Sequence, residues 1–114
     1  MRKELVMYSR STGCPSVRVA RRILEDQNVP YREVFIDEDP QAGARLQMWA
    51  GFLSVPTLVV TRPGEDVPID EPETIAQGHS PRGINRGSMI SEPNAGQLTA
   101  WLQQHGLIEA RAAG

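Results

Sequence analysis

The chain holds a single cysteine, Cys14, in 114 residues. An internal disulfide is therefore excluded, and one thiol cannot by itself hold a structural zinc or iron–sulfur site. Any redox or metal chemistry has to take its second sulfur from another molecule. Basic charge is not in excess either: twelve Lys plus Arg stand against fourteen Asp plus Glu, for a net charge of −2. That balance excludes a dedicated nucleic-acid binder. No apolar run approaches the roughly 20 residues that cross a bilayer, so no membrane role is expected. The opening residues lead straight into a strand-like segment rather than a targeting one. Together these absences predict a soluble cytoplasmic monomer. The 39% apolar content supplies one core for one domain over 1–114, and folding at this size buries roughly two thirds of the unfolded chain's surface.

What is present reads as strands alternating with helices. Glu4 to Tyr8 is a buried strand ending in polar Ser9–Thr12. From Pro15 the spacing turns helical, with Val17, Ala20, Ile23 and Leu24 on one face and Asn28 and Pro30 as the stop. Tyr31 to Ile36 is the next strand, which predicts a parallel pair with a right-handed crossover. Asp39-Pro40 opens a second helix with Leu46, Trp49 and Ala50 toward the core and Gly51 as its end. Thr57–Thr61 is a third strand, beginning after Pro56. Ser91-Glu92-Pro93 is expected to cap a third helix carrying Leu98, Trp101 and Leu102 and stopped by Gly106. The tail after Ile108 is expected to fray. Residues 62–93 hold five of the nine prolines and four of the ten glycines. Only one short strand is expected there, at Ser88-Met89-Ile90, with Val67-Pro68-Ile69 as the other candidate. Long loops of this kind in small domains are usually functional or mobile. His79 and His105 have no ligand-like spacing and are expected at the surface.

The chemistry concentrates at Thr12-Gly13-Cys14-Pro15-Ser16-Val17, which sets a thiol at the start of a helix. Unpaired backbone N–H groups and the positive end of the helix dipole stabilise a thiolate there. Arg10 and Arg18 add positive charge, and half of all the basic residues lie in the first 22 positions against a single acid, Glu4. The alternative is a small, buried, inert cysteine.

These segments together resemble the glutaredoxin family. The matching pieces are Leu5-Val6-Met7-Tyr8-Ser9, Cys14-Pro15 at the first helix, Ala20-Arg21 with Leu24, the second strand, and Ser54-Val55-Pro56-Thr57 ahead of the third. The likeness covers most of 3–61 and returns weakly at 88–108. It implies an α/β thioredoxin-like fold, β-α-β-α-β-β-α, with a mixed four-stranded sheet, helices on both faces and a Pro/Gly-rich insertion at about 62–87. It also implies that Cys14 is the nucleophile, that Pro56 is cis, and that the backbone of Val55 pairs with glutathione or an extended client.

The resemblance has departures. Dithiol members carry a second cysteine where this chain has Val17, so an external thiol must resolve any mixed disulfide. Monothiol members typically read Cys-Gly-Phe-Ser, whereas this chain reads Cys-Pro-Ser-Val; Ser16 either donates to the thiolate or helps satisfy the helix end. Arg10 stands in for a lysine before the cysteine. Gly87–Glu92 replaces a glycine-rich turn, leaving the helix start at Ser91 as an expected anion site. Arg82 and Arg86 in the insertion form a flexible basic strip, read either as a lid over the thiol or as a solvated loop. The leading expectation is a monothiol thiol–disulfide oxidoreductase with no tightly bound cofactor, acting on a disulfide-bearing protein or small thiol. Two rivals stand beside it: a glutathione-bridged dimer holding [2Fe–2S], and a non-catalytic interaction module.

Overall fold

Successive residues of β1 (Glu4–Ser9) face opposite sides of a sheet, and nearly all of them are buried. This strand is central, which explains why Leu5-Val6-Met7-Tyr8 runs apolar without alternation. A computed structural model describes residues 3–12, 14–51, 53–75 and 78–108. It contains, in order, β1, α1 (Pro15–Asp26), β2 (Arg32–Phe35), α2 (Pro40–Ala50), β3 (Thr57–Thr61), β4 (Met89–Ser91) and α3 (Ala95–Gln104). The sheet order is β2-β1-β3-β4. β1 pairs parallel with β2 and antiparallel with β3, and β3 pairs antiparallel with β4. This is the mixed four-stranded, thioredoxin-like sheet with helices on both faces. The frayed tail expected after Ile108 lies outside the described residues.

Contacts along β1 assign the faces. Tyr8 meets Trp49 of α2 edge to face, with ring centroids 5.5 Å apart, and its hydroxyl accepts from Arg45 Nε at 3.3 Å. Ser9, on the opposite face, donates to Glu33 Oε2 at 2.6 Å, and Glu33 is also ion-paired with Arg21 of α1. α1 and α3 share that second face, contributing Val17, Ala20 and Leu24 from one and Leu98, Trp101 and Leu102 from the other.

Helix ends follow local chemistry. Asp39 accepts from the N–H groups of Gln41 and Ala42, and Gly51 closes α2 with φ 74°. The expected start of the last helix is corrected. Ser91 is the final residue of β4, fully buried, with its hydroxyl 2.7 Å from that of Thr57. The helix begins three residues later, where Asn94 and Gln97 form a reciprocal capping box. Long-range strand pairing claims Ser91, and the next Asn-x-x-Gln takes over the capping.

The insertion is tied down rather than loose. Ile69 N–H donates to Val60 O at 2.8 Å, Glu73 N–H to Arg86 O at 3.1 Å, and Gly83 N–H to Ser91 O at 2.7 Å. Arg82 and Asn85 bridge Ser91 and Ile90, covering the outer edge of β4.

His105 is not a surface histidine. It is half-buried, packed edge to face on Trp101, and its Nε2 lies 2.7 Å from Gly87 O. A carbonyl oxygen only accepts, so Nε2 carries the proton. Burial pushes the His105 pKa below its ordinary value. The unfolded chain therefore takes a proton near pH 6.5 that the folded chain refuses, and stability falls as pH drops through that point. Wild-type protein should lose thermal stability between about pH 7.5 and 5.5, and His105→Gln should lose less over the same interval, as read by melting curves.

Candidate active site

Cys14 is the N-cap residue of α1. Its backbone is extended, its carbonyl accepts from Arg18 N–H at 3.1 Å, Pro15 occupies the first turn, and its side chain makes no capping hydrogen bond. The thiol is thus left unengaged at a helix end whose first-turn N–H groups lack intrahelical partners. No acidic side chain stands in that first turn. The loop leading to it is fastened to the end of the parallel pair. Ser11 donates to Asp37 through its N–H at 3.0 Å and through its hydroxyl. Those bonds hold the Asp37 carboxyl below the usual carboxylate range.

The half-buried Cys14 opens into a cleft of about 560 Å³ lined by Arg10, Thr12, Cys14, Pro15, Leu53, Ser54, Val55 and Glu92. Its opposite wall is the start of β3. The Val55–Pro56 peptide bond is cis. Thr57 Oγ1 donates to Ser54 O at 2.8 Å, which anchors the turn. Among the described residues, neither the N–H nor the C=O of Val55 has a backbone partner outside regular structure. Glu92 N–H donates to Pro56 O at 2.7 Å, joining the end of β4 to this wall.

The residues singled out from sequence separate in space. Cys14, Pro15, Arg10 and Val55 line one cleft, with Pro56 behind it. Arg18 is exposed and its side chain is outside the lining; it serves Cys14 through its backbone N–H. Ser16 faces a neighbouring hollow with Arg82, Gly83, Glu92, Pro93, Asn94 and Gln97, and makes no hydrogen bond to Cys14 among the described residues. Ser91 is buried inside the sheet and cannot present an anion site. Arg86 is corrected too. It is only 6% exposed, and its guanidinium donates to Glu73 O at 2.7 Å and Trp49 O at 2.8 Å. It belongs to a different cavity, between α2 and the insertion, and cannot close over the thiol. Sequence reasoning passed over Leu53, which is exposed beside the thiol, and underweighted Glu92, which lines both hollows. Position just before Ser54-Val55-Pro56 was the available signal for Leu53.

A strand–helix–strand unit with a thiol at the start of its helix, opposite a cis-proline turn, defines a thiol-redox protein of thioredoxin fold. The sequence family described as Glutaredoxin matches residues 5–63, just over half of the chain. The chain belongs to the glutaredoxin family. Comparison with curated proteins gives no match.

One chain alone does not supply the donor set of an iron–sulfur cluster. Such a cluster takes four sulfur ligands, whereas each chain offers one thiol, and no trio of metal-ligating side chains occurs among the described residues.

Proposed function

We propose that this protein is a monothiol thiol–disulfide oxidoreductase acting on mixed or protein disulfides. The observation that carries the reading is the placement of the chain's one thiol, uncapped at the N-terminus of α1, across a cleft from Val55 and cis-Pro56. Cys14, as thiolate, attacks one sulfur of the substrate disulfide. A bond forms between Cys14 Sγ and that sulfur, the substrate S–S bond breaks, and the departing sulfur leaves with the electron pair and takes a proton from water. The N–H and C=O of Val55, which have no backbone partner among the described residues, would hold the substrate in an extended pose by backbone hydrogen bonds.

Val17, buried in the α1 face, occupies the place of a resolving thiol. A low-molecular-weight thiol such as glutathione therefore attacks the substrate-derived sulfur of the mixed disulfide, so that the bond to Cys14 Sγ breaks, the Cys14 thiolate is released and the external thiol ends in a disulfide with that sulfur. One chain is enough for this cycle, so the working unit is a monomer. The chemistry suits a compartment rich in reduced thiols such as the cytoplasm.

Intact-protein mass spectrometry after exposure to bis(2-hydroxyethyl) disulfide tests the reading. The expected result is one mercaptoethanol adduct per chain, located at Cys14 and removed by added glutathione. Absence of any adduct under native conditions would leave a thioredoxin fold serving as a non-catalytic module.

A further inference from the structure

Glu92 is the acidic residue lining the Cys14 cleft, and its position is set by the backbone rather than by side-chain choice. Its φ is 45°, in the left-handed region that a residue with a Cβ seldom occupies. That conformation is held from three directions: Ser91 is locked in β4, Pro93 follows with a fixed φ, and Glu92 N–H is bonded to Pro56 O at 2.7 Å. The Glu92 side chain is 24% exposed, and the residue lines both the thiol's cleft and the hollow containing Ser16 and Arg82.

Among the described residues, Arg82 and Arg10 share these hollows with Glu92, and neither cancels its charge fully. Arg82 Nη2 is 3.7 Å from Glu92 Oε1, well beyond a charge-assisted hydrogen bond, and the Arg82 side chain is 68% exposed. Arg82 also sits in the second hollow, outside the lining of the Cys14 cleft. Arg10 lines the cleft but is exposed, where solvent and salt screen it. A charge that is three quarters buried acts through a lower effective dielectric than an exposed one.

We propose that Glu92 sets the charge of the disulfides this cleft accepts, favouring those with a cationic group within a few bonds of sulfur and disfavouring those that carry carboxylates. The inference rests on Cys14 chemistry as proposed above and adds a substrate class to it. When Cys14 attacks, negative charge spreads over the attacking and leaving sulfurs in a cleft that Glu92 also lines. A substrate cation offsets both, whereas a substrate carboxylate adds a third negative charge. The overall reaction remains a disulfide exchange in which an external dithiol is oxidised and the substrate disulfide is reduced to two thiols.

The test uses dithiothreitol as a neutral reductant with cystamine, bis(2-hydroxyethyl) disulfide and 3,3′-dithiodipropionate as cationic, neutral and anionic probes. Each rate is divided by the uncatalysed rate of the same pair. Glu92→Gln should lower the cystamine-to-dithiodipropionate ratio of kcat/KM by about 10-fold or more, as removal of a partly buried negative charge from a cleft entered by oppositely charged probes requires. Independently of any variant, raising salt from about 0.02 to about 0.5 M should lower the wild-type ratio in the same direction. An unchanged ratio in both measurements overturns the proposal while leaving the thiol mechanism intact. Failure of wild type to exceed Cys14→Ser on the neutral probe overturns the mechanism itself, and the charge selection with it.

Discussion

Cys14→Ser should lose at least ~10³-fold in kcat/KM for reduction of a small disulfide while folding at least as stably as the wild type. The loss follows from the element exchanged. A serine hydroxyl is essentially un-ionised at neutral pH and has no sulfur with which to form the mixed disulfide, and the chain contains no second cysteine to substitute for it. The gain in stability follows from the position. Cys14 is an N-cap whose side chain makes no capping bond, and serine is among the best N-cap residues because its oxygen accepts from an N–H two or three positions on. Serine here can cap α1, for a gain of about 0.5–1 kcal/mol. Activity lost together with a raised melting temperature separates removal of a nucleophile from disruption of a fold. A variant that kept the wild-type rate would show that the chemistry resides elsewhere.

Which features could be read from the sequence depends on how far apart the interacting residues lie. β1, α1 and α2 rest on local information: an apolar run, a Val17/Ala20/Leu24 face, and an Asp-Pro start that caps itself within three residues. The thiol's place at a helix start was legible for the same reason, because Cys14-Pro15 opens the α1 pattern directly. Ser91 was misread because its partner is remote. Its hydroxyl meets Thr57, 34 residues earlier in the chain, and nothing adjacent to Ser-Glu-Pro reveals that pairing. The Asn94-to-Gln97 capping box was present in the sequence and was overlooked in favour of the earlier serine. The left-handed turn at Glu92 is likewise non-local, since it depends on a hydrogen bond to Pro56 across the sheet. Basic residues in a Pro/Gly-rich stretch look solvated by composition alone, and that impression held for Arg82 but failed for Arg86.

Arg86→Met should lower stability by about 2–4 kcal/mol, which for a domain of this size is a fall in melting temperature of roughly 8–25 °C. Arg86 is only 6% exposed, and burial pushes its pKa below the ordinary value. Among the described residues it has no carboxylate partner in an ion pair; its partners are Glu73 O, Trp49 O and the sulfur of Met89. Burying an arginine this way is costly unless something offsets the charge. The offset comes from α2. Trp49 lies in the last turn of that helix, where the dipole is negative, and α2 has no basic residue of its own there. Arg86 therefore reaches from the insertion to finish a helix formed nearly forty residues earlier in the chain, and it fixes the loop through Glu73. Methionine fills similar space but leaves both carbonyls without a donor, at about 1–3 kcal/mol each. Arg86→Lys should recover part of the loss, since an ammonium keeps the charge but not the fork of donors. Urea titration gives the free energies, with a lower midpoint and an unchanged slope as the expected signature. The same variants decide the role of the insertion at the thiol. A lid arginine would change kcat/KM, whereas an arginine in a separate cavity should leave the activity per folded molecule within about 2-fold of wild type. Stability of Arg86→Met equal to wild type would mean that its burial is energetically neutral and that the insertion is held by its backbone bonds alone.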